Sequence, residues 1–262
     1  MTSFVQTAKP VSEQILDLKI LTDKSLCEVF FSHPQTKKIL SLIGATKEEA
    51  ESFFIPFIHS SFTHESGGVS LESNEKLEFL GDALLSVIVS ENLMNDFKDF
   101  SEGELSKFRA SLVNENMLGI LARHLLIHEI LIVGKGATKE GIYRKDGPLA
   151  DSIEALLGYF YQYRSLEGVK KVFEKVIKNY ELASGDKFFD QEKFISFDSK
   201  TKLQELTMKK YKTLPEYQAK EIPQGFEVSL ILNNKEVLKI IEASKKRAER
   251  KLAEQVLKEN LL

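Results

Sequence analysis

The chain has 262 residues, of which 42% are hydrophobic and 29% are charged, a composition typical of soluble globular proteins with one large or two smaller domains. The single cysteine, Cys27, excludes an internal disulfide, and no Cys/His cluster has the spacing of a zinc site. The start of the chain does not resemble a signal peptide, and no apolar run approaches the roughly 20 residues of a membrane span. We therefore expect a cytoplasmic protein without a membrane partner.

In chain order, residues 1–24 are predicted to form a poorly packed N-terminal extension. Residues 25–182 carry apolar positions at helical spacing and no alternating strand pattern, which predicts an all-α domain. The clearest helical periods lie at 77–93, 105–126, 149–163 and 169–182.

The polar segment 183–196 lacks a clear period and is predicted to be a linker. After it we expect a helix at 199–211, strands at 217–221, 226–232 and 235–241, and a closing helix at 244–257. Asn233-Asn234 separates two β-prone runs, as in a hairpin. Residues 197–262 are therefore predicted to form a small α+β domain of the order α-β-β-β-α.

The net charge of −3 is unevenly distributed. Residues 197–262 contain 14 Lys and Arg against 10 Asp and Glu, whereas the rest of the chain contains 22 against 29. This asymmetry indicates either two domains with different electrostatic tasks or ordinary charge scatter.

Two acidic clusters lie about 70 residues apart on predicted helices. Glu75, Glu78 and Asp82 share one helical stripe, and Asp151 and Glu154 share another. Converging carboxylates either take up protons or bind hard divalent cations such as Mg²⁺, which can activate water against a phosphodiester. Either cluster taken alone is more often a solvated helix face. Gly81 and Gly158, inside these helices, indicate that a neighbouring element approaches closely.

Residues 74–85, NEKLEFLGDALL, resemble the signature helix of the ribonuclease III family of double-stranded-RNA endonucleases. Other blocks occur in the order that the family has: FTHES at 62–66, EGELS at 102–106, RASLV at 109–113, GKG at 134–136 and ADSIEALLG at 150–158. The resemblance covers roughly residues 55–262. It implies an all-α endonuclease domain, a homodimer whose signature helices pack together, and products with 5′-phosphate, 3′-hydroxyl and short 3′ overhangs. It also implies processing of rRNA precursors and of some mRNAs and tRNAs.

The resemblance assigns roles to the acids. It implies that Mg²⁺, with Mn²⁺ as a substitute, is bound by Glu78, Asp82, Asp151 and Glu154. Asp82 and Glu154 match the least replaceable catalytic acids, and Glu75 and Glu102 match supporting acids near the cleft and the dimer interface.

Three histidines and an arginine have alternative interpretations. His64 is interpreted as structural rather than as a general base, because a metal-bound hydroxide requires none. His124 and His128 have the spacing of a zinc pair but lack a third ligand, so we expect them at the surface. Arg109 either contacts a phosphate or pairs with an acid.

The C-terminal domain resembles a double-stranded-RNA-binding domain, with DSKTKLQE at 198–205 as its first helix and SKKRAE at 244–249 as its phosphate-binding helix. By this resemblance Gln204 and Glu205 face a minor groove, and Lys245 and Lys246 contact the phosphates between grooves. Lys246, Arg250 and Lys251 continue a basic stripe on the same helix, which either binds phosphate or is a solvated lysine-rich face. The family's glycines before Ser244 are absent, and the loop 222–225 is short, so we expect RNA affinity to be weaker than is typical.

The alternative function is a catalytically silent RNA-binding or ribosome-associated relative. The complete set of four acids favours an enzyme. A DNA nuclease is disfavoured because the tail resembles a reader of 2′-hydroxyl groups.

Overall fold

The computed structural model describes residues 8–18, 21–66 and 71–262, with only the backbone described at 192–193 and 195–198. The chain divides into two compact units between Phe189 and Asp190, a position that lies within the predicted linker.

The first unit is built of helices, as the sequence predicted. In chain order the described helices are α1 (Val11–Leu16), α2 (Asp23–Ser32), α3 (Pro34–Ile43), α4 (Lys47–Glu51), α5 (Ser60–Glu65), α6 (Glu75–Asp96), α7 (Glu102–Leu112), α8 (Glu115–His124), α9 (Lys135–Lys139), α10 (Asp146–Tyr161) and α11 (Leu166–Ser184). Ile58 and Ile132 form an isolated parallel bridge. None of the helices that the structure describes is both long and apolar enough to cross a lipid bilayer.

The centre of this unit is the contact between α6 and α10. A Cβ atom on Gly81 would come within 1.8 Å of the Glu154 carbonyl oxygen, and one on Gly158 within 2.1 Å of the Leu77 carbonyl oxygen. Because both glycines lack a side chain, the two helix backbones meet directly. The prediction of close approach at Gly81 and Gly158 is confirmed, and the contact joins the two helices that carry the predicted acids.

The helical period predicted over 105–126 extends over two helices, α7 and α8, with a break at Val113 and Asn114. Asn114 is extended, and its side-chain oxygen accepts a hydrogen bond from the Met117 backbone at 2.9 Å. This contact caps α8 by satisfying one of the free N–H groups at its start. The apolar period continues across the break, so periodicity alone did not locate it.

The predicted poor packing of the N-terminal extension is also wrong for the part that the structure describes; residues 1–7 and 19–20 lie outside it. In α1, Val11 is fully buried and Ile15 is 7% exposed. The Ser12 hydroxyl donates to the Leu131 carbonyl at 2.9 Å, and the Tyr143 hydroxyl donates to Glu13 at 2.7 Å. Two apolar residues four positions apart thus anchor a short helix.

The second unit has the predicted α-β-β-β-α order. Its elements are α12 (Gln191–Tyr211), β1 (Glu216–Ile222), β2 (Gly225–Leu232), β3 (Lys235–Glu242) and α13 (Lys245–Lys258). The strands form an antiparallel sheet of order β1-β2-β3. Asn233 and Asn234 have φ of 48° and 62°, the left-handed conformation that a two-residue hairpin turn requires. One face of the sheet packs on the helices around Leu203, Val228, Leu230, Leu252 and Val256.

The boundaries of the predicted linker, 183–196, need correction. Gly185, with φ of 75°, ends α11 just inside it, but α12 already begins at Gln191. Phe188 and Phe194 are buried, and the Phe188 ring packs edge-on against Phe173 at 5.7 Å. The aromatic side chains of this otherwise polar segment therefore give it an ordered packing that its composition concealed.

Candidate active site and RNA-binding helix

The start of α6 is fixed by Asn74, which is 2% exposed. Its backbone N–H donates to the Ile58 carbonyl at 2.8 Å, and its side-chain amide donates to the Pro56 carbonyl at 3.2 Å. These bonds set the position of the first turn, which carries Glu75 and Glu78. The direct backbone contact at Gly81 then places this turn beside α10.

Three of the four predicted metal ligands converge. Carboxylate oxygens of Glu78, Asp151 and Glu154 lie within 4.8 Å of one another, and all three side chains are half-buried. Asp82, one turn along α6 from Glu78, is exposed and lies outside this cluster of three. Its charge nevertheless acts on Glu154, so it borders the cluster. Such an arrangement could hold a metal ion.

The cluster carries uncompensated negative charge. Burial, followed by the charges of Glu78 and Glu115, raises the pKa of Asp151 to about 6. Burial, followed by the charges of Asp82, Glu78 and Asp151, raises the pKa of Glu154 to about 8. Burial, with Glu75 and Asp82, also raises the pKa of Glu78. Within the described part of the chain, no Lys, Arg or His forms an ion pair with these three carboxylates, so cations from outside would relieve the repulsion.

Glu115 is a neighbour of the site that the sequence did not indicate. It is the first residue of α8, and its Oε1 lies 3.4 Å from where a Cβ of Gly147 would be. Gly147 precedes Asp151 by four residues, so both lie on one face of α10. The sequence signal that could have located Glu115 is the Asn114 cap, because it marks the start of α8 and so places Glu115 beside α10.

The predicted supporting acids are not among the three converging residues, although the charge of Glu75 acts on Glu78. Glu75 is exposed and accepts a hydrogen bond from the Ser73 hydroxyl at 2.6 Å. Glu102 begins α7 and accepts from the Ser106 hydroxyl at 2.8 Å. Arg109 donates to the Ser90 hydroxyl of α6 at 2.8 Å, so it ties α7 to α6 through a neutral group.

Among the described residues, no histidine joins these acids in a potential metal site. His64 is exposed, at the end of α5. His124 ends α8 and packs edge-on against the Tyr180 ring at 5.1 Å, whereas His128 lies in the following 3-10 turn. His124 and His128 therefore lie in different helical elements, although their spacing is that of a zinc pair on one helix. Both are half-buried, and burial lowers the pKa of His128.

The second unit presents the predicted RNA-binding residues on two helices. Gln204 and Glu205 are exposed on α12, while Lys245 and Lys246 are exposed in the first turn of α13, with Arg250 half-buried in the next. These exposed positions are accessible to a bound duplex.

The start of α13 is capped by Ser244, whose hydroxyl accepts from the Arg247 backbone at 3.3 Å. A capped helix start with free N–H groups and nearby cations is a suitable surface for phosphate.

Comparison with known families identifies both units. Residues 56–180 match the model described as Ribonuclease-III-like, and residues 199–260 match the double-stranded RNA binding motif. The chain belongs to the ribonuclease III family. Membership makes it an endoribonuclease that acts on double-stranded RNA.

Two relatives named Ribonuclease 3 illustrate the similarity. The protein of Syntrophobacter fumaroxidans is 37% identical over 205 residues, which span 76% of this chain and 84% of that protein. The protein of Haemophilus influenzae is 36% identical over 217 residues, which span 78% and 91%. The similarity therefore extends over most of this chain and of both relatives.

The solved nuclease domain of ribonuclease III from Campylobacter jejuni superimposes with a TM-score of 0.50 at 29% identity, covering 55% of this chain and 96% of that one. That structure shows flexibility in a region involved in dimer formation. The helical unit of this chain is thus similar in fold to a ribonuclease III nuclease domain.

Proposed function

We propose that this ribonuclease III family member hydrolyses double-stranded RNA with Mg²⁺, giving 5′-phosphate and 3′-hydroxyl ends with short 3′ overhangs. The observation that carries the proposal is the convergence of Glu78, Asp151 and Glu154, with which no cation of the described residues forms an ion pair. Three carboxylates with raised pKa values form a hard oxygen donor set, which suits Mg²⁺ and also accepts Mn²⁺.

Each acid then has a role. Glu78, Asp151 and Glu154 would hold the cation from the half-buried side, and Asp82 would complete the set from the exposed side, where RNA arrives. Bound divalent cations supply a more acidic water and stabilise the leaving oxygen of the phosphodiester. The resemblance to the family makes Glu154 and Asp82 the least replaceable of the four, and the charge of Asp82 acts directly on Glu154.

The proposed enzyme is a homodimer formed through α6. Phe79 is 83%, Val87 50% and Met94 65% exposed, and helical geometry puts all three within one quadrant of the helix. Large exposed apolar residues aligned along one helix face indicate an interaction surface. A second copy is the occupant that fits, because the exposed stripe runs along the helix that carries the catalytic acids, with Glu75 at its start.

Phe79→Ser tests the dimer. The substitution removes the largest exposed apolar side chain of the stripe. We therefore expect light scattering at micromolar concentration to show a monomer, and we expect the helix content to be unchanged. Exposed Met208→Ser in the second unit serves as the matched control and should remain dimeric. A Phe79→Ser protein that stays dimeric would contradict the use of this face.

The proposed substrates are rRNA precursors and some mRNAs and tRNAs in the cytoplasm. A catalytically silent RNA-binding or ribosome-associated relative is the second candidate function. The presence and convergence of the acids favours the enzyme, because a binding protein gains nothing from uncompensated carboxylates in a half-buried cleft.

The decisive experiment uses a long RNA duplex incubated with the purified chain and Mg²⁺. We expect cleavage that EDTA abolishes, and Glu154→Gln should lower the rate at least about a thousandfold because it removes a metal ligand and a charge. Glu140→Gln, at an exposed acid outside the cluster, is the control and should cut normally. Sequencing of the ends identifies the products. An intact duplex would support the silent relative instead. Equal rates for the Glu154 and Glu140 variants would contradict the proposed role of the carboxylate cluster.

A further inference from the structure

The beginning of α13 is crowded with cations. Five of its first seven residues are basic: Lys245, Lys246, Arg247, Arg250 and Lys251. The N-terminal end of a helix already carries partial positive charge. These side chains are therefore repelled by that end of the helix and by one another, and a nearby anion would compensate the repulsion. RNA supplies such anions from outside the chain. One anion is, however, built into the domain.

That anion is Glu242, the last residue of β3. Its carboxylate accepts a hydrogen bond from the Lys251 ammonium and lies 3.3 Å from the Arg247 guanidinium. The Glu242 side chain is only 15% exposed, whereas those of Arg247 and Lys251 are 66% and 51% exposed. Glu242 therefore neutralises two of the five cations, Arg247 and Lys251, from a position less exposed than theirs.

The backbone holds Glu242 in this position. It pairs with Phe226 across the β2–β3 ladder. Its carbonyl oxygen would lie 2.4 Å from a Cβ on Gly225, a residue with φ of +129° that lacks one. Because strand pairing and this close contact fix the Glu242 backbone, the carboxylate cannot swing far from α13.

The other three cations are held more loosely. Lys245 lies 4.0 Å from Glu249, but that carboxylate already accepts a hydrogen bond from Lys200 at 2.8 Å. Neither Lys246 nor Arg250 has an ion-pair partner among the residues whose side chains the structure describes. The surface that remains for phosphate thus consists of Lys245, Lys246 and Arg250.

We infer that Glu242 is an internal counterion of the RNA-binding helix, and that it restricts phosphate contacts to Lys245, Lys246 and Arg250. The inference rests on the binding of double-stranded RNA by this domain. Arg247 or Lys251 can reach a phosphate only by leaving a carboxylate that is already in contact, so that exchange yields little net affinity. Glu242 therefore sets how strongly, and with what salt dependence, the domain holds a duplex.

The salt dependence of binding distinguishes cations that contact a phosphate from cations that remain paired with Glu242. On a B-DNA duplex each phosphate that binds a cation contributes about −0.9 to the slope of log K against log salt concentration. Freeing two cations should therefore steepen the slope by between about 1 and 2, and should raise the affinity roughly tenfold at low salt. The gain should shrink as salt increases.

The test measures binding of the full chain to a duplex RNA in EDTA, without cleavage, across a salt series. We expect Glu242→Gln to bind more tightly with a steeper slope. Glu236→Gln, which removes the same charge from an exposed position nearer the other end of β3, should match wild type. Equal slopes and affinities for the two variants would overturn the inference.

A second pair of variants guards against a folding defect in Glu242→Gln. In the otherwise unchanged chain, Lys246→Gln should make the slope shallower by about 1, whereas Arg247→Gln should leave it nearly unchanged. Equal losses at both positions would overturn the inference while leaving the proposed function intact. A wild-type chain that binds no duplex would overturn both.

Discussion

Glu154 is the carboxyl group on which the charges of the site converge. Its side chain is half-buried in α10, and the negative charges of Asp82, Glu78 and Asp151 act on it. Without a cation the residue retains a proton well above the pH at which an exposed glutamate ionises. The same environment that makes ionisation unfavourable makes divalent cation binding favourable, because the cation replaces the proton as the compensating charge.

The stability of the metal-free protein should therefore fall as pH rises. Glu154 binds its proton with a pKa of about 8 in the folded chain and about 4.5 in the unfolded chain. Between these values the folded state holds more protons, so raising the pH favours unfolding. After allowance for solvent screening, we expect a loss of about 1 to 2 kcal/mol between pH 5 and pH 8.5.

Urea unfolding in EDTA at both pH values measures this loss. Glu154→Gln carries no titrating group there, so it should match wild type at pH 5 and exceed it in stability at pH 8.5. Mg²⁺ should restore the stability of wild type at pH 8.5 and have less effect on the variant. Parallel pH dependences for the two proteins would show that the site does not impose the expected charge repulsion.

At the scale of elements, the site depends on how closely α6 and α10 pack. Gly81 and Gly158 contact the opposite helix backbone reciprocally, so the separation of the carboxylates is set by main-chain contact rather than by flexible side chains. Main-chain contact is stiff, and interiors of this density transmit small displacements. A single added methyl group at this contact is therefore a strong perturbation.

Gly81→Ala and Gly103→Ala form a matched pair of helical substitutions. The first puts a Cβ within 1.8 Å of the Glu154 carbonyl oxygen, whereas the second meets no atom within 4 Å. We expect Gly81→Ala to lower the free energy of unfolding by at least about 2 kcal/mol and to reduce cleavage strongly. Gly103→Ala should be neutral or more stable by up to about 1 kcal/mol. Similar unfolding free energies for both variants would contradict the proposed role of close packing.

The helices, strands and acids could be predicted from the sequence because they depend on local periodicity and on a distinctive run around Glu78 and Asp82. The break at Asn114 and the packing of Val11 could not, since each depends on contacts with distant parts of the chain. Glu115 and Glu242 were missed for the same reason. Each is an ordinary acid in sequence, and it acquires a role only through what lies opposite it after folding, Gly147 for one and Arg247 with Lys251 for the other.

At the scale of the whole molecule, the first unit carries the catalytic carboxylates, and the second provides most of the electrostatic attraction for RNA. The acidic first unit carries the carboxylate cluster and, by charge alone, repels RNA. The second unit, with 14 Lys and Arg against 10 Asp and Glu in residues 197–262, provides an attractive surface. This division explains why a chain with a net charge of −3 can take a polyanion as its substrate.

Removing residues 190–262 should therefore weaken RNA binding far more than it slows the chemical step. The cut follows the boundary between Phe189 and Asp190, and the nuclease domain of the Campylobacter jejuni relative was solved on its own, so the remaining unit should fold. We expect affinity for a duplex to fall at least about tenfold and the salt dependence of binding to become shallower, because the phosphate contacts of α13 are lost.

Cleavage at saturating RNA and Mg²⁺ should stay within a few-fold of the full chain, since the acid cluster lies wholly in the first unit. Binding in EDTA over a salt series and single-turnover cleavage separate the two effects. Equal salt slopes for the truncated and full chains would mean that the second unit does not supply the attraction.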